Sequence, residues 1–380
     1  MKKKILIVTE RRADYSKFRP ILKEIQKSKK LDYYLVVTGS HLLKEHGLTI
    51  NDIKNDGFKI SQKFRMYENI KDDSGAKMTL ALSKAIFHLT NIIQKTKPDI
   101  ILAGFDIGAN LAAAIVGAHM NILVAHLEGG EISGTIDESI RHATTKFSHI
   151  HFVTHVEAKQ RLIRMGENPK FIHNVGNPSL DGIKVFKKID PTKLEKEFSI
   201  DLTEPFFLIL QHTVTSEINK IDVHFEKTIN AIRELNVQSI FINGNADAGS
   251  NKISNTIKKL KIKSYNSLTF EKFINLLSLC TALVGNSSSG VMEAPFLKIP
   301  SINIGTRQTG RLHASSVIDV SYNKLEIKNA LKKILYDKNF QKTLRKTESL
   351  YGNGNASKKL VKILENLDLE KIPIQKRQFE

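Results

Sequence analysis

Two periodicities alternate along this chain. Short apolar runs at Ile5–Val8, Tyr33–Thr38, Ile100–Ala103, Leu123–His126, Ile150–Val153 and Phe171–Val175 read as buried strands. Between them apolar residues recur at helical spacing, as in Lys77–Lys95, where Leu80, Ile86, Leu89 and Ile93 stand in helical register. The same signal predicts helices near Tyr15–Lys27, Ala109–Met120, Glu138–Phe147 and Val156–Met165. A second alternation follows. Its predicted strands are Phe206–Leu210, Ser239–Ile242, Ala282–Val284 and Ser301–Asn303. Its helices lie near Asp222–Glu234, Lys252–Leu260, Phe270–Leu279, Val291–Phe296, Lys324–Tyr336 and Ser357–Leu367. Strand–helix alternation implies right-handed crossovers and parallel sheets covered on both faces. The expected fold is α/β, with two Rossmann-like doubly wound domains facing a cleft. The expected boundaries are an N-terminal domain over 1–176, a charged linker over 177–204, a C-terminal domain over 205–367 and a tail over 368–380.

Composition narrows the class. A length of 380 residues suits two domains of about 150 residues each. With 41% apolar and 26% charged residues, the chain does not read as disordered. Its one cysteine, Cys280, can form no internal disulfide and supports no multi-cysteine zinc site. That suggests a reduced, cytoplasmic setting. The apolar run at Ile5–Val8 is too short for a signal peptide and runs at once into Glu10, Arg11 and Arg12. Leu111–Leu127 is broken by Gly117, His119, Asn121 and His126, so it reads as a helix followed by a strand, not a membrane span.

Lys and Arg number 58 against 39 Asp and Glu, a formal net charge of +19. Nucleic acid, an anionic membrane or an anionic small molecule are the partners such an excess raises. No basic aromatic platform or nucleic-acid recognition motif accompanies it. Most lysines lie on helical or linker stretches such as Lys184–Lys196 and Lys252–Lys263, where a solvated surface explains them.

Chemistry concentrates where predicted strands end. The first runs into a turn bearing Arg12 and Ser16, which suits an anion; an ordinary solvated turn with Asp14 as helix cap is the plain alternative. Ala282–Val284 leads into Gly285-Asn-Ser-Ser-Ser-Gly290, a small-residue loop before a helix whose backbone and hydroxyls suit a phosphate; a structural loop with a serine cap is the plain alternative, and Glu293 on the helix's first turn suits a ribose diol or merely complements the helix dipole. Ser301–Asn303 leads to Arg307 between glycines, a second phosphate candidate. Asp106, Glu128, Asp137 and Glu138 are carboxylates expected to converge on one crevice and to raise one another's pKa. Their plain readings are a helix cap for Asp137 or Glu138 and an ion pair between Glu128 and Arg141. His212 ends Phe206–Leu210 and is a candidate acid or base. His149, His151 and His155 cluster without an acidic partner at matching spacing, so a metal is not expected there.

Taken together, these motifs resemble the UDP-N-acetylglucosamine 2-epimerases, most closely the hydrolysing branch that makes N-acetylmannosamine for sialic acid. The resemblance rests on Arg12-Ala-Asp-Tyr-Ser-Lys17, on the block His126-Leu-Glu-Gly-Gly-Glu-Ile-Ser-Gly-Thr-Ile-Asp-Glu-Ser-Ile-Arg-His142, and on Gln211-His212. It continues through Asn245-Ala-Asp-Ala-Gly-Ser250, Gly285-Asn-Ser-Ser-Ser-Gly-Val291, Gly305-Thr-Arg-Gln308 and Tyr351-Gly-Asn-Gly-Asn-Ala356. It implies the two-domain arrangement of one glycosyltransferase class, with the last helix crossing back onto the first domain, and a UDP-linked substrate. Ser287, Ser288 and Arg307 would contact the diphosphate, Glu293 the ribose, with Asn245 nearby. Arg12 and Ser16 would reach the nucleotide, and His212 the phosphates and sugar. Asp106, Glu128 and Asp137 or Glu138 would serve as acid–base groups, with Arg141 among the binding residues. The implied scheme needs no metal or other cofactor, and a homodimer is the implied assembly. One position departs from the family: Phe105-Asp106-Ile107 stands where it carries Gly-Asp-Arg, so Ile107 replaces an arginine expected to help bind nucleotide. This keeps open the related branch that hydrolyses nucleotide-linked 2,4-diacetamido-2,4,6-trideoxy sugars in legionaminic acid synthesis. A glycosyltransferase of similar architecture is a further alternative.

Overall fold

The computed structural model describes residues 2–67, 74–244 and 247–380. It divides into two compact units. The first holds Met1–Glu131, Ile136–Lys184 and Tyr351–Glu380; the second holds Ile132–Thr135 and Val185–Leu350.

The first unit carries seven strands: β1 (Lys3–Thr9), β2 (Leu31–Val37), β3 (Ile60–Lys63), β4 (Ile100–Gly104), β5 (Leu123–Leu127), β6 (Ile150–Val153) and β7 (Ile172–Asn174). Their order is β3-β2-β1-β4-β5-β6-β7, and every pair is parallel. Alternate side chains of β1 supply two cores. Ile5 and Ile7 pack with Phe18, Leu22 and Ile25 of the helix Arg12–Lys27 and with Leu360 and Leu364 near the C-terminus. Leu6 and Val8 pack with Ala85, Leu89 and Ile93 of the helix Gly75–Thr96 and with Ala112 and Ala113 of the helix Gly108–His119. Burial on both faces is why these strands read as unbroken apolar runs. Gly108–His119 is small-residue rich because it lies close on the sheet: a Cβ on Gly117 would come within 2.7 Å of Ile101 and Val124.

The helix Ala356–Asn366 belongs to this first unit, its first N–H groups accepted by Asp181 at 2.9 and 2.6 Å. Residues 368–380 do not hang free. Ile374 is bonded through its carbonyl to His149, Lys376 pairs with Glu167 at 2.5 Å, and Phe379 N–H donates to Gly166 O. Glu167 also accepts from His151 Nε2 at 3.0 Å and lies 3.2 Å from Lys146. Burial would raise the Glu167 pKa, but the His151 hydrogen bond and the nearby cations outweigh it and hold the carboxyl at about 2. A carboxylate depressed below its ordinary 4.5 contributes stability in full above that pH and loses it as pH falls toward 2. The thermal midpoint is therefore expected to fall from pH 5 to pH 2, and Glu167→Gln is expected to flatten that slope. An unchanged slope in the variant would assign acid sensitivity to other groups.

The second unit carries β8 (Phe206–Leu210), β9 (Gln238–Ile242), β10 (Ser264–Tyr265), β11 (Ala282–Gly285), β12 (Ser301–Ile304) and β13 (Val317–Val320), in the order β10-β9-β8-β11-β12-β13, again all parallel. Its core joins Phe207, Ile209, Phe241, Val284 and Ile302 to Phe225, Ile229 and Leu331. Residues 177–204 contain two helices: Ser179–Lys184 in the first unit and Pro191–Phe198 in the second. Asp190 caps the latter, with Pro191 at its first position. Cys280 is free and buried, which pushes its thiol pKa up and leaves it inert. Among the described residues no helix is long and apolar enough to cross a membrane. Leu111–Leu127 divides between the helix Gly108–His119 and β5.

Candidate functional site

In each sheet the strand order reverses beside the first strand, between β1 and β4 and between β8 and β11. Ligands of doubly wound sheets bind at the carboxyl ends of strands at such points. The residues after β1, β4 and β5 are Glu10-Arg11-Arg12, Phe105-Asp106 and Glu128. Asp106 takes an ion pair with Arg141 and lies 3.5 Å from Arg11 Nη2. Arg141 is fully buried and also donates to Glu131 O at 3.3 Å. Glu128 pairs with Lys17 Nζ at 2.6 Å and accepts from Asn177 Nδ2 at 3.0 Å. Lys17 lies 4.5 Å over the Phe105 ring, so one cation joins both strand ends.

This corrects two expectations. Arg141 is the partner of Asp106, and Lys17, not Arg141, is the partner of Glu128. Asp106 and Glu128 are each held beside a cation, where crowding among carboxylates was expected. The backbone is strained at the same place: Phe105 has φ 70° and Glu128 φ 59°, left-handed conformations that cost non-glycine residues about 1–3 kcal/mol each. The strain turns Asp106 and Glu128 out of their strands, and the ion pairs and the Phe105–Phe18 contact hold it in place.

Asp137 and Glu138 lie in the first turn of the helix Ile136–Phe147, both half-buried. Glu138 is 3.5 Å from His142, whose pKa burial lowers. Arg12 opens the helix Arg12–Lys27; burial lowers its pKa to about 10, with Asp52 opposing. Ser16 spends its hydroxyl on Ala13 O at 2.8 Å. Asp14 is not the cap residue. Arg11 holds that position, and the buried Asp14 carboxylate accepts from the N–H groups of Glu10, Arg11 and Tyr15 at 2.8–2.9 Å. His151 and His155 do have acidic partners, Glu167 and Glu131, each at 3.0 Å. The acids come from other segments, so spacing along the chain did not reveal them.

In the second unit, His212 follows β8 beside Gly244, where a Cβ would approach its ring within 3.0 Å. Gly285 ends β11 at φ 140°, its missing Cβ leaving room for the Leu210 carbonyl. Ser287 caps a short 3₁₀ turn by accepting from Ser289 N–H, and Ser288 opens that turn. Glu293 is buried in the first turn of Glu293–Phe296. Arg307 is buried and donates to Asn286 O at 3.3 Å. The structure thus gathers His212, Ser287, Ser288 and Arg307 at adjoining strand ends. Asn245 lies outside the described residues.

Two α/β units, each built on a parallel sheet, carry carboxylates at one switch point and hydroxyls and a guanidinium at the other, the doubly wound class in which ligands lie at strand ends. The model of the UDP-N-acetylglucosamine 2-epimerase family matches residues 23–365, and this chain belongs to that family. It is 35% identical to the UDP-N,N'-diacetylbacillosamine 2-epimerase (hydrolyzing) of Legionella pneumophila, over 97% of both chains. It is 34% identical to the UDP-N-acetylglucosamine 2-epimerase of Neisseria meningitidis, over 87% of this chain and 86% of that one. The fold also matches the Methanocaldococcus jannaschii UDP-GlcNAc 2-epimerase in complex with UDP-GlcNAc and UDP, with a TM-score of 0.79 at 21% identity, covering 96% of this chain and 99% of that one.

Proposed function

We propose that this protein is a hydrolysing 2-epimerase of a UDP-linked 2-acetamido sugar. The observation that carries the reading is the pair of strand-end carboxylates, Asp106 and Glu128, each held beside its own cation in a member of this family. One of these carboxylates takes the proton from C2 of the sugar. The C1–O bond then breaks with its electron pair passing to UDP, leaving a 2-acetamidoglucal. Water adds its oxygen to C1, and a proton returns to C2 on the opposite face, releasing the free 2-epimeric sugar. Positioned carboxylates contribute roughly 10²–10⁴-fold each to such proton transfers. The other strand-end carboxylate, with Asp137 or Glu138, serves the activation of the water and the return of the proton to C2. Arg307, Ser287 and Ser288 hold the diphosphate, where their donors meet the charge growing on the departing UDP. Glu293 holds the ribose, Arg12 and Ser16 reach the nucleotide, Arg141 fixes Asp106, and His212 attends the phosphates and sugar.

Between two sugars, the full-length relationship to the Legionella pneumophila enzyme supports UDP-N,N'-diacetylbacillosamine as the substrate. Ile107, buried where the family carries an arginine, fits a departure from the commoner substrate. UDP-N-acetylglucosamine is the second reading, favoured by the Neisseria meningitidis relative. Incubating the purified protein with each donor in heavy water tests both. The expected result is free UDP, a 2-epimerised sugar and one deuterium at C2, with faster turnover of the diacetamido donor. UDP release with the sugar configuration retained would overturn the reading.

A further inference from the structure

Asn286 is buried just past the end of β11. Its side-chain amide forms two bonds with the main chain of His212: Oδ1 accepts from His212 N–H at 2.6 Å, and Nδ2 donates to His212 O at 2.9 Å. The β8–β11 ladder ends at the pairing of Leu210 with Gly285, so this amide continues the pairing where the strands stop. Bonding both the N–H and the C=O of one residue needs one donor and one acceptor on the same side chain, which a neutral amide supplies and an ionised carboxylate does not. On its other side, the Asn286 carbonyl accepts from Arg307 Nη1 at 3.3 Å and from Gln308 Nε2 at 2.9 Å. Arg311 Nη1 in turn donates to Gln308 Oε1 at 3.0 Å. Gln308 and Arg311 are also buried. A chain of hydrogen bonds therefore runs from Arg311 through Gln308 and Asn286 to His212, crossing three strand ends in a low-dielectric interior where such bonds reinforce one another.

We infer that Asn286 is a positioning residue, whose side chain sets the main chain of His212 while its carbonyl seats Arg307. The inference rests on the roles proposed above for His212 and Arg307. Its side-chain half is tested in the full chain with Asn286→Ala and Asn286→Asp, each alone and combined with His212→Ala, by kcat, KM and UDP titration. Asn286→Ala is expected to lower kcat on the order of 100-fold, as misplacement of a catalytic group does, with KM changed far less. In the His212→Ala background the same change is expected to cost less than about twofold, because the two act as one. Asn286→Asp is expected to lose activity at neutral pH and to regain it relative to the parent as pH falls. A protonated carboxyl recovers the donor to His212 O. An Asn286→Ala loss that multiplies fully with His212→Ala, or an Asn286→Ala kcat within about twofold of the parent, would overturn the inference. If Asn286→Ala does not fold, Asn286→Asp decides: a pH-independent ratio to the parent overturns it. His212→Ala without effect on turnover or UDP affinity would overturn the site reading and this inference together, which separates that failure from a failure of Asn286 alone.

Discussion

Glu128→Gln and Asp106→Asn are each expected to lower kcat by roughly 10²–10⁴-fold, the span removed with a positioned proton-transfer group. The dissociation constant for UDP is expected to change by less than about tenfold. The split follows from the division of labour proposed here. The proton-transfer carboxylates lie after β4 and β5, whereas the proposed diphosphate contacts Ser287, Ser288 and Arg307 lie after β11 and β12. Both substitutions keep side-chain shape and an acceptor oxygen for Arg141 or Lys17, so loss of the carboxylate charge is the main change. Steady-state kinetics and calorimetric UDP titration read the two quantities separately. A turnover within about tenfold of the parent would remove either residue from the proton-transfer role. A large loss of UDP binding would mean that these groups hold the nucleotide instead.

The second large effect is on stability, and it is asymmetric. Asp106→Ala is expected to destabilise by about 3–5 kcal/mol, the usual cost of breaking a buried ion pair from one side. Arg141→Met is expected to cost clearly less. The difference lies in what is left behind. The Arg141 side chain is 0% exposed and would keep an uncompensated charge away from water, whereas Asp106 is 20% exposed and retains Arg11 nearby. Removing both charges in the double variant should recover part of the Asp106→Ala loss, since residues in one pair are not additive. Urea unfolding of the three variants checks the order. Equal losses from the two single changes would mean that Arg141 reaches solvent or finds another anion once Asp106 is gone.

Local sequence reveals structure only where physics leaves a local mark. Buried strands such as β1, β4 and β8 were legible because they are apolar on both faces and bounded by charges or turns. The edge strands β3 and β10 escaped it: Ile60–Lys63 and Ser264–Tyr265 are short, partly exposed and mostly polar, so no apolar run marks them. At the site, residues that end strands announced themselves, because a carboxylate or histidine after an apolar run is conspicuous. Their partners did not. Lys17 is one of 58 basic residues, and nothing about its position in a helix reveals that it meets Glu128, 111 residues away. Asn286 was visible only as part of a small-residue loop; its bonds to His212 span 74 residues.

By itself, the sequence determined the alternation of strands and helices, the parallel sheets it implies and the strand-end placement of Asp106, Glu128, His212 and Arg307. Those follow from periodicity and local order, which are properties of neighbours along the chain. Only the tertiary structure decided which cation holds which carboxylate, that the tail after residue 367 docks on the first unit, and that Asn286 bonds the main chain of His212. Those depend on contacts between segments tens to hundreds of residues apart, whose energies are set by burial and geometry and leave no mark in local sequence.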